Sequence, residues 1–520
     1  MLRITELKIS LTAEEADIKK KAEKLLGTKC KEIKIVRRTV DARKKNDVHY
    51  VLSLDVCVDN EEKLLEKGIK NVRPTPDMSY SFKKGVKREK RPVVVGTGPA
   101  GLFAGLYLAR AGLCPLILER GSDVDKRTAK VEEYMNGGEL SEETNVQFGE
   151  GGAGTFSDGK LNTGTKDIRI RTVLREFVKH GAPEDILIDA KPHIGTDILR
   201  VVVKNIRNEI ISLGGEVLFD AKLCDIGIHN GRVCSAIYEK EGTIREFETD
   251  IILLAIGHSA RDTAKMLYDK GVIMQKKPFS VGARIEHTQD FISSAMYGEA
   301  KRLLPPADYK MAVHLPSGRS LYTFCMCPGG HVVAAASEKG TIVTNGMSYS
   351  KRDGKNANSA ILVGVTPDDF PDENPLSGFE FQREIEKKAY EICKNKAPCQ
   401  TVGSFLGIGE NVVGSVIPTY KPGVEMTELD KVLPLFVTET MRAGILEMDK
   451  KIRGFADKEA ILTAPETRSS SPVRFVRDEK MELSIKGLMT AGEGGGYAGG
   501  IMSSAVDGLK AAELIVDKGE

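Results

Sequence analysis

The residues best suited to redox chemistry are Cys325 and Cys327, which flank a methionine in the string CMCPGG. Such a pair can act as a redox or nucleophilic thiol, bind a metal, or pack as small buried side chains. No second Cys/His cluster stands at a usable spacing, so we expect no metal site. Side chains two apart on a regular strand share a face but lie near the ~7 Å Cα separation at which a disulfide becomes strained. Packing is therefore the preferred interpretation, one thiol in a pocket comes second, and redox cycling comes third.

Three further side chains are candidates for a substrate pocket. Glu466 and Arg468 lie close together, and a guanidinium group there can hold a carboxylate or phosphate in bidentate fashion. A solvated ion-pair cluster is the alternative. His258 follows an apolar strand, where catalytic groups gather in doubly wound sheets, but capping a helix or contacting adenosine is the preferred role. The catalytic residues therefore stay open.

A glycine-rich turn predicts where a nucleotide binds. The string GTGPAG follows the apolar strand PVVVG and precedes a helix, which is the context that makes a GxGxxG motif informative. Gly96 permits the tight turn, Gly98 lets the backbone approach a pyrophosphate, and Gly101 allows close packing of helix on strand. Glu119 ends the next strand, where a carboxylate accepts hydrogen bonds from ribose hydroxyls and repels a 2′-phosphate.

Longer strings carry a family resemblance. PVVVGTGPAGLFAGLYLARAGLCPLILERG resembles the FAD-binding start of the glutathione-reductase-type flavoproteins. NVQFGEGGAGTFSDGKL, PHIGTD, AIGHSARDT, TFCMCPGG, ETRSSSPVRFVRD and AGEGGGYAGGIMSSAVDGL are similar to a bacterial family of FAD-dependent dehydrogenases of largely unassigned substrate. The resemblance implies an FAD-dependent oxidoreductase that transfers hydride through flavin N5 to or from an unidentified small molecule. NADH or NADPH is a possible transient electron donor.

The resemblance also implies a set of cofactor-binding residues. They fall in the first glycine motif and the strand after it, in the loop 149–160, on two later strands, and at the start of the last helix. Glu493 stands where such flavoproteins often have an aspartate. The predicted residues are Gly96, Gly98, Pro99, Ala100, Gly101, Glu119, Arg120, Arg127, Gly152, Gly154, Thr155, Asp158, Lys160, Leu223, Ala255, Gly257, Gly492, Glu493, Gly499, Gly500 and Ile501.

The length of 520 residues predicts more than one domain. The expected fold class is α/β: a three-layer Rossmann-like FAD-binding domain, discontinuous in sequence, with an inserted antiparallel-sheet substrate domain and a small α+β N-terminal module. The expected boundaries are 1–88 for a basic N-terminal module, 89–270 for the first part of the FAD-binding domain, 271–465 for the inserted domain and 466–520 for the C-terminal part. The segment 70–91 is typical of a linker, and the polar segment 346–360 of a surface loop or lid.

Charge and composition constrain the partners and the compartment. Nine scattered cysteines do not resemble a disulfide framework, and the N-terminus lacks an apolar signal sequence, so we expect a cytoplasmic protein with no membrane partner.

The net charge is +2, but the first 90 residues carry an excess of about eight positive charges. The alternative function is therefore a flavin-dependent RNA- or tRNA-modifying enzyme, supported by Lys19, Lys20, Lys21, Arg37, Arg38, Arg43, Lys44 and Lys45. No aromatic platform accompanies these charges, so a small-molecule substrate without nucleic acid is preferred, and the oligomeric state stays open.

Overall fold

The structure is a computed structural model that describes residues 1–86 and 88–518. Its first elements form an antiparallel sheet of order β2-β3-β1-β4, with a separate apolar core under α1. They are β1 (Leu2–Ile9), α1 (Glu15–Leu26), β2 (Cys30–Asp41), β3 (His49–Val58), α2 (Glu61–Glu66) and β4 (Val72–Pro74). Alternate residues of β1, Leu2 and Ile4 among them, are buried in this core, as is typical of a half-buried strand.

The remaining elements follow in chain order. The strands are β5 (Val93–Val95), β6 (Leu116–Leu118), β7 (Glu216–Leu218), β8 (Ala221–His229), β9 (Arg232–Lys240), β10 (Thr243–Glu248), β11 (Ile252–Leu254), β12 (Met274–Lys276), β13 (Phe279–Thr288), β14 (Ala312–His314), β15 (Ser320–Cys327), β16 (His331–Ala334), β17 (Thr344–Met347), β18 (Asn356–Val365), β19 (Ala397–Thr401), β20 (Val424–Met426), β21 (Ile461–Glu466), β22 (Val473–Phe475) and β23 (Leu488–Thr490). The helices are α3 (Pro99–Arg110), α4 (Val124–Met135), α5 (Arg169–Lys179), α6 (Thr196–Ser212), α7 (Arg261–Asp269), α8 (Gln289–Tyr297), α9 (Ser377–Cys393), α10 (Val402–Phe405), α11 (Leu435–Asp449) and α12 (Ile501–Asp517).

A five-stranded parallel sheet of order β23-β11-β5-β6-β7 forms the centre of the nucleotide-fold part. Successive residues of a strand point to opposite faces, so each strand serves two cores. Val94 packs with α3, α6 and α12 on one face. Val93 and Val95 pack with the antiparallel sheet β10-β9-β8 on the other. Because β23 comes from the end of the chain, this sheet is assembled from segments far apart in sequence.

The segment 70–91 is not a free linker, which corrects the prediction. Its first residues form β4, which pairs with β1. Tyr80 and Phe82 pack against the core of the parallel-sheet part, and the Phe82 ring meets the Tyr107 ring edge to face at 4.9 Å. With two prolines and many charged residues, this segment has the composition of a linker, so the packing of Tyr80 and Phe82 was not recognised from the sequence.

The second large sheet has seven strands in the order β14-β15-β18-β13-β21-β19-β20. Strand β18, the third in this order, begins inside the segment 346–360 that was predicted to be a loop, and β17 includes residues 346 and 347, so the loop prediction was wrong at 346–347 and at 356–360. The polar residues were misleading because they are buried and paired inside the sheet: Asn356 Nδ2 donates to Glu286 Oε2 at 2.9 Å.

Among the residues that the structure describes, no helix is both long and apolar enough to cross a membrane.

Candidate active site

A cavity of about 610 Å³ opens at the carboxyl ends of the parallel strands. Val95, Leu118, Ala255 and Ala491, at or just beyond the ends of four of these strands, contribute to its wall. The opposite wall comes from β15 and β21 of the seven-stranded sheet. Ligands of open α/β sheets bind at this edge, and the volume is typical of a small-molecule or cofactor site.

The turn before α3 has the geometry that the GxGxxG motif predicts. Gly96 has φ of 102°, and a Cβ there would lie 2.4 Å from the carbonyl oxygen of Ala255. A Cβ on Gly101 would lie 1.9 Å from the carbonyl oxygen of Gly96, so Gly101 serves close packing and does not line the cavity. Gly98 differs: a Cβ there would meet only the Cα of Gly152, at 3.9 Å. The backbone at Gly98 therefore faces open cavity.

Glu119 ties this turn to the glycine-rich loop 149–160. One carboxylate oxygen accepts hydrogen bonds from the Thr97 backbone N–H at 2.9 Å and the Thr97 hydroxyl at 2.6 Å. The other accepts from the backbone N–H groups of Gly121 at 2.9 Å and Gly149 at 3.0 Å. The side chain is 4% exposed and lines the cavity. Glu119 thus has a structural role that the motif did not indicate.

Arg127 does not reach the cavity, which corrects its prediction as a cofactor-binding residue. It is fully buried, and its guanidinium donates to the carbonyl oxygens of Asn145 at 2.9 Å, Val146 at 3.0 Å and Glu150 at 2.6 Å. Burial lowers its pKa to about 9. Thr155 also lies off the cavity wall, with its hydroxyl 3.4 Å from the Glu150 carbonyl oxygen. Both side chains shape the loop, because its backbone carbonyls need buried donors.

The other predicted cofactor-binding residues come together around the cavity. Arg120 is among them, but its guanidinium is paired with Glu143 at 2.6 Å and with both oxygens of Asp262 at 2.9 Å. Those that line the cavity are Gly96, Gly98, Pro99, Ala100, Glu119, Arg120, Gly152, Gly154, Asp158, Lys160, Leu223, Ala255, Gly257, Gly492, Glu493, Gly499, Gly500 and Ile501.

Arg284 organises the polar end of the cavity, and sequence reasoning missed it. It is fully buried on β13, where its guanidinium lies 3.2 Å from Glu466 and donates to the carbonyl oxygen of Cys325 at 2.9 Å. The Cys327 sulfur lies 3.6 Å from the same group. The only feature of the sequence that could have indicated Arg284 was the presence of a charged residue inside the apolar string PFSVGARIEH.

The two cysteines occupy different environments. A bulge in β15 between Phe324 and Cys327 breaks the regular strand assumed from the sequence, and Cys325 has φ of 43°. Cys325 lines the cavity, whereas Cys327 is completely buried and does not. A hydrogen bond from Cys327, helped by the charges of Arg284 and Lys160, lowers the pKa of Cys325. Burial is the main cause that raises the pKa of Cys327.

Two carboxyl groups on the wall titrate near neutrality. Burial raises the pKa of Glu466 to about 7, although the neighbouring Arg284 opposes the shift. Burial likewise raises the pKa of Glu493 to about 7, against the charge of Lys277. Either group can therefore hold or release a proton at physiological pH.

Asp158 positions Lys160 at the cavity. Asp158 is fully buried and accepts hydrogen bonds from Arg352 Nε at 2.9 Å and Lys160 Nζ at 2.7 Å. Burial alone would raise its pKa, but the two cations lower it. Arg352 belongs to the segment 348–355 between β17 and β18, so this segment is anchored to the cavity wall by a buried ion pair.

Arg468 and His258 line the middle of the cavity. Arg468 is buried and donates to both carboxylate oxygens of Glu386, at 3.1 Å and 2.9 Å, so it is not part of a solvated cluster. Arg261 binds the same carboxylate. His258 contacts Ser259 Oγ at 2.9 Å, and burial with the charge of Arg468 lowers its pKa to about 3. Its imidazole is therefore neutral at physiological pH, and it does not cap α7, which follows Ala260.

The cavity fits a dinucleotide cofactor. Two helices, α3 and α12, begin at its wall, each after a glycine N-cap, Gly98 and Gly500, with no side chain capping the free N–H groups. A Cβ on Gly500 would meet no atom within 4 Å. Such uncapped N-termini are sites for phosphate and other negative charge. Among the described residues, no cluster of His, Cys, Asp and Glu side chains could hold a metal ion.

Fold and cavity together define a mixed α/β protein with a cavity of about 610 Å³ at the carboxyl edge of a parallel sheet. Residues 278–469 match the family described as "FAD-dependent protein, C-terminal domain-like", which supports FAD as the cofactor. Residues 1–57 match a domain of unknown function. An "Uncharacterized protein" of Clostridium beijerinckii (strain ATCC 51743 / NCIMB 8052) is 46% identical over 535 aligned positions, covering 99% of each chain. The chain belongs to the family of this clostridial protein.

Three solved structures match this chain at low similarity. The flavin-dependent brominase Bmp2 is 14% identical with a TM-score of 0.39, covering 84% of this chain and 80% of its own. A flavoprotein/dehydrogenase from Cytophaga hutchinsonii is 14% identical with a TM-score of 0.38, at 84% and 80% coverage. A geranylgeranyl bacteriochlorophyll reductase-like protein from Thermoplasma acidophilum is 13% identical with a TM-score of 0.38, at 83% and 79% coverage. At these scores nothing about activity follows from them.

Proposed function

We propose that the protein is an FAD-dependent oxidoreductase of the glutathione-reductase-type fold, acting on a small molecule. The observation that carries the proposal is the single cavity that joins two uncapped helix N-termini to a reactive cluster of thiol, carboxyl and lysine. Gly98 and Gly152 would hold the pyrophosphate, Leu223 would contact the adenine, and Gly500 would face the flavin. When bound, FAD supplies hydride transfer through its N5 atom.

The chain's own residues supply binding, orientation and a proton. Backbone N–H groups at the start of α12 stabilise negative charge near Gly500. Lys160, fixed by Asp158, places a cation beside Cys325 at the polar end of the cavity. Glu466 has a pKa near neutrality and lines the same end, so it can hold the proton that a substrate gains or loses.

The polar end of the cavity suits a small polar molecule, and NADH or NADPH is the proposed transient donor. We propose no nucleic-acid partner, because the basic N-terminal sheet lacks an aromatic stacking surface.

The test is the absorption spectrum of the purified protein, recorded anaerobically with NADH, with NADPH and with candidate small-molecule substrates. Bleaching of a flavin band by one donor, reversed by a substrate, supports the proposal. A protein without flavin, or one whose flavin no donor or substrate changes, contradicts it. Glu466→Gln should keep the flavin and slow the substrate step, whereas Glu139→Gln, at an exposed position, should match the wild type.

A further inference from the structure

We propose that Cys325 and Cys327 are a working dithiol pair whose substrate is a low-molecular-weight disulfide. One expectation from the sequence disfavoured this role: alternate residues of a regular strand lie near the Cα separation at which a disulfide becomes strained. The strand is not regular at this point, because residue 325 sits in the bulge of β15. Between the pairs Phe324–Ala360 and Cys327–Asn358, two residues of β15, Cys325 and Met326, stand against one residue of β18, Ser359.

The bulge brings the two cysteines into direct contact. Cys325 has a left-handed backbone, with φ of 43°, which is uncommon for a residue other than glycine. The Cys327 thiol donates a hydrogen bond to the Cys325 carbonyl oxygen at 3.2 Å, and Arg284 Nη2 lies 2.9 Å from the same oxygen and 3.6 Å from the Cys327 sulfur. Unusual backbone conformations of this kind concentrate at functional sites.

The surroundings assign different roles to the two sulfurs. Cys325 lines the cavity, so a dissolved molecule can reach it, while Cys327 is completely buried behind it. Lys160 and Arg284 place positive charge near the Cys325 sulfur, and such charge favours the thiolate that attacks disulfides. This arrangement suits an attacking cysteine backed by a resolving one.

The reaction balances with a disulfide as the electron acceptor. The Cys325 thiolate attacks one sulfur of the substrate, the substrate S–S bond breaks, and the leaving thiolate takes a proton. Cys327 then loses its proton and attacks the Cys325 sulfur, releasing the second half of the substrate as a thiol. The substrate gains two electrons, and the dithiol becomes the Cys325–Cys327 disulfide. The inference rests on the proposed function only for the flavin as the source of electrons that restore the dithiol.

The experiment is a single turnover of the full-length protein with bis(2-hydroxyethyl) disulfide. The protein is reduced, freed of reductant and mixed with the probe, after which peptides are mapped by mass. Cys325 and Cys327 fall in one tryptic peptide, residues 320–339, which contains no other cysteine.

We expect this peptide to lose two hydrogens in the wild type. In Cys327→Ser it should instead carry one 2-mercaptoethanol adduct on Cys325. Cys234→Ser, at a half-buried position outside the cavity, should behave as the wild type.

Two results would overturn the inference: a wild-type peptide that keeps both hydrogens, or a Cys327→Ser peptide without an adduct. Bound FAD is measured on the same samples. Oxidation of the pair in a protein that holds no FAD would refute the proposed function and leave the dithiol pair standing. A protein that holds FAD but whose cysteine pair does not react would refute the dithiol pair and leave the proposed function standing.

Discussion

The Glu119 carboxylate accepts a hydrogen bond from the backbone N–H of Gly149 at 3.0 Å, across thirty residues of chain. This bond joins the end of β6 to the glycine-rich loop, while the other carboxylate oxygen holds Thr97 in the turn before α3. Glu119, which the motif predicts as a ribose ligand, therefore also links the two glycine-rich segments of the cavity by hydrogen bonds.

Glu119→Gln should destabilise the protein and weaken FAD binding. An amide offers an acceptor on one side only, so its NH2 group would face either Thr97 or the N–H groups of Gly121 and Gly149. Leaving buried donors unpaired costs about 1–3 kcal/mol, measurable by chemical denaturation. Glu139→Gln, on the surface, is the control. Unchanged stability of Glu119→Gln would show that these hydrogen bonds contribute nothing.

Gly98→Val should lose the cofactor and keep the fold. Gly98 has φ of −64°, which any residue adopts, and a Cβ there enters open cavity with Gly152 as its nearest neighbour. The side chain would occupy the space proposed for the pyrophosphate, so FAD affinity should fall at least about tenfold, or about 1.4 kcal/mol. Gly364→Val is the control, since a Cβ there meets no atom within 4 Å and Gly364 does not line the cavity. Equal FAD content in the two variants would place the phosphates elsewhere.

Glu466 should make stability depend on pH. Its folded pKa of about 7 lies above its ordinary value of 4.5, so between these values the native state binds more protons than the unfolded state. The free energy of unfolding should therefore fall as pH rises through this window, by about 1.4 kcal/mol per pH unit at most. Glu466→Gln should flatten this part of the slope.

The slope is the readout for this variant, because Glu466→Gln also removes the buried partner of Arg284 and lowers stability at every pH. The pKa of Glu493, which is also raised, contributes equally to the pH dependence of both proteins. Parallel pH profiles for wild type and variant would contradict the shifted pKa.

The basic N-terminal sheet should not bind RNA tightly. Arg38, one of its charges, is already used in an ion pair with Asp189 at 2.9 Å, and its guanidinium lies over the Tyr50 ring. We expect binding weaker than about 1 µM near physiological salt in a filter-retention assay. Micromolar or tighter binding that falls steeply with added salt would support the RNA-modifying alternative.

The sequence predicted the features that depend on short local patterns. The strand-turn-helix around Gly98 has its expected form because steric limits at Gly96 and Gly101 leave little choice. Most of the residues expected to bind the cofactor line one cavity for the same reason, since the carboxyl ends of parallel strands meet at one edge.

The sequence failed where distant residues decide the structure. Arg127 stands in the expected region, yet its guanidinium turns inward to satisfy loop carbonyls. Asn356 and its neighbours look like loop residues because their buried partners, such as Glu286, lie about 70 residues away. The bulge at Cys325 depends on the register between β15 and β18, which no local pattern encodes.

The central claim is that the cavity holds FAD, and the most direct test identifies the flavin in the purified protein. The protein is denatured, and the released chromophore is separated and compared with authentic FAD and FMN. A yellow protein that releases FAD in about equal amount to the chain is expected, since we propose that the turn at Gly98 and the hydrogen bonds of Glu119 form the adenosine-diphosphate half of the site. Stoichiometric FMN, or no flavin after incubation with excess FAD, would contradict the account.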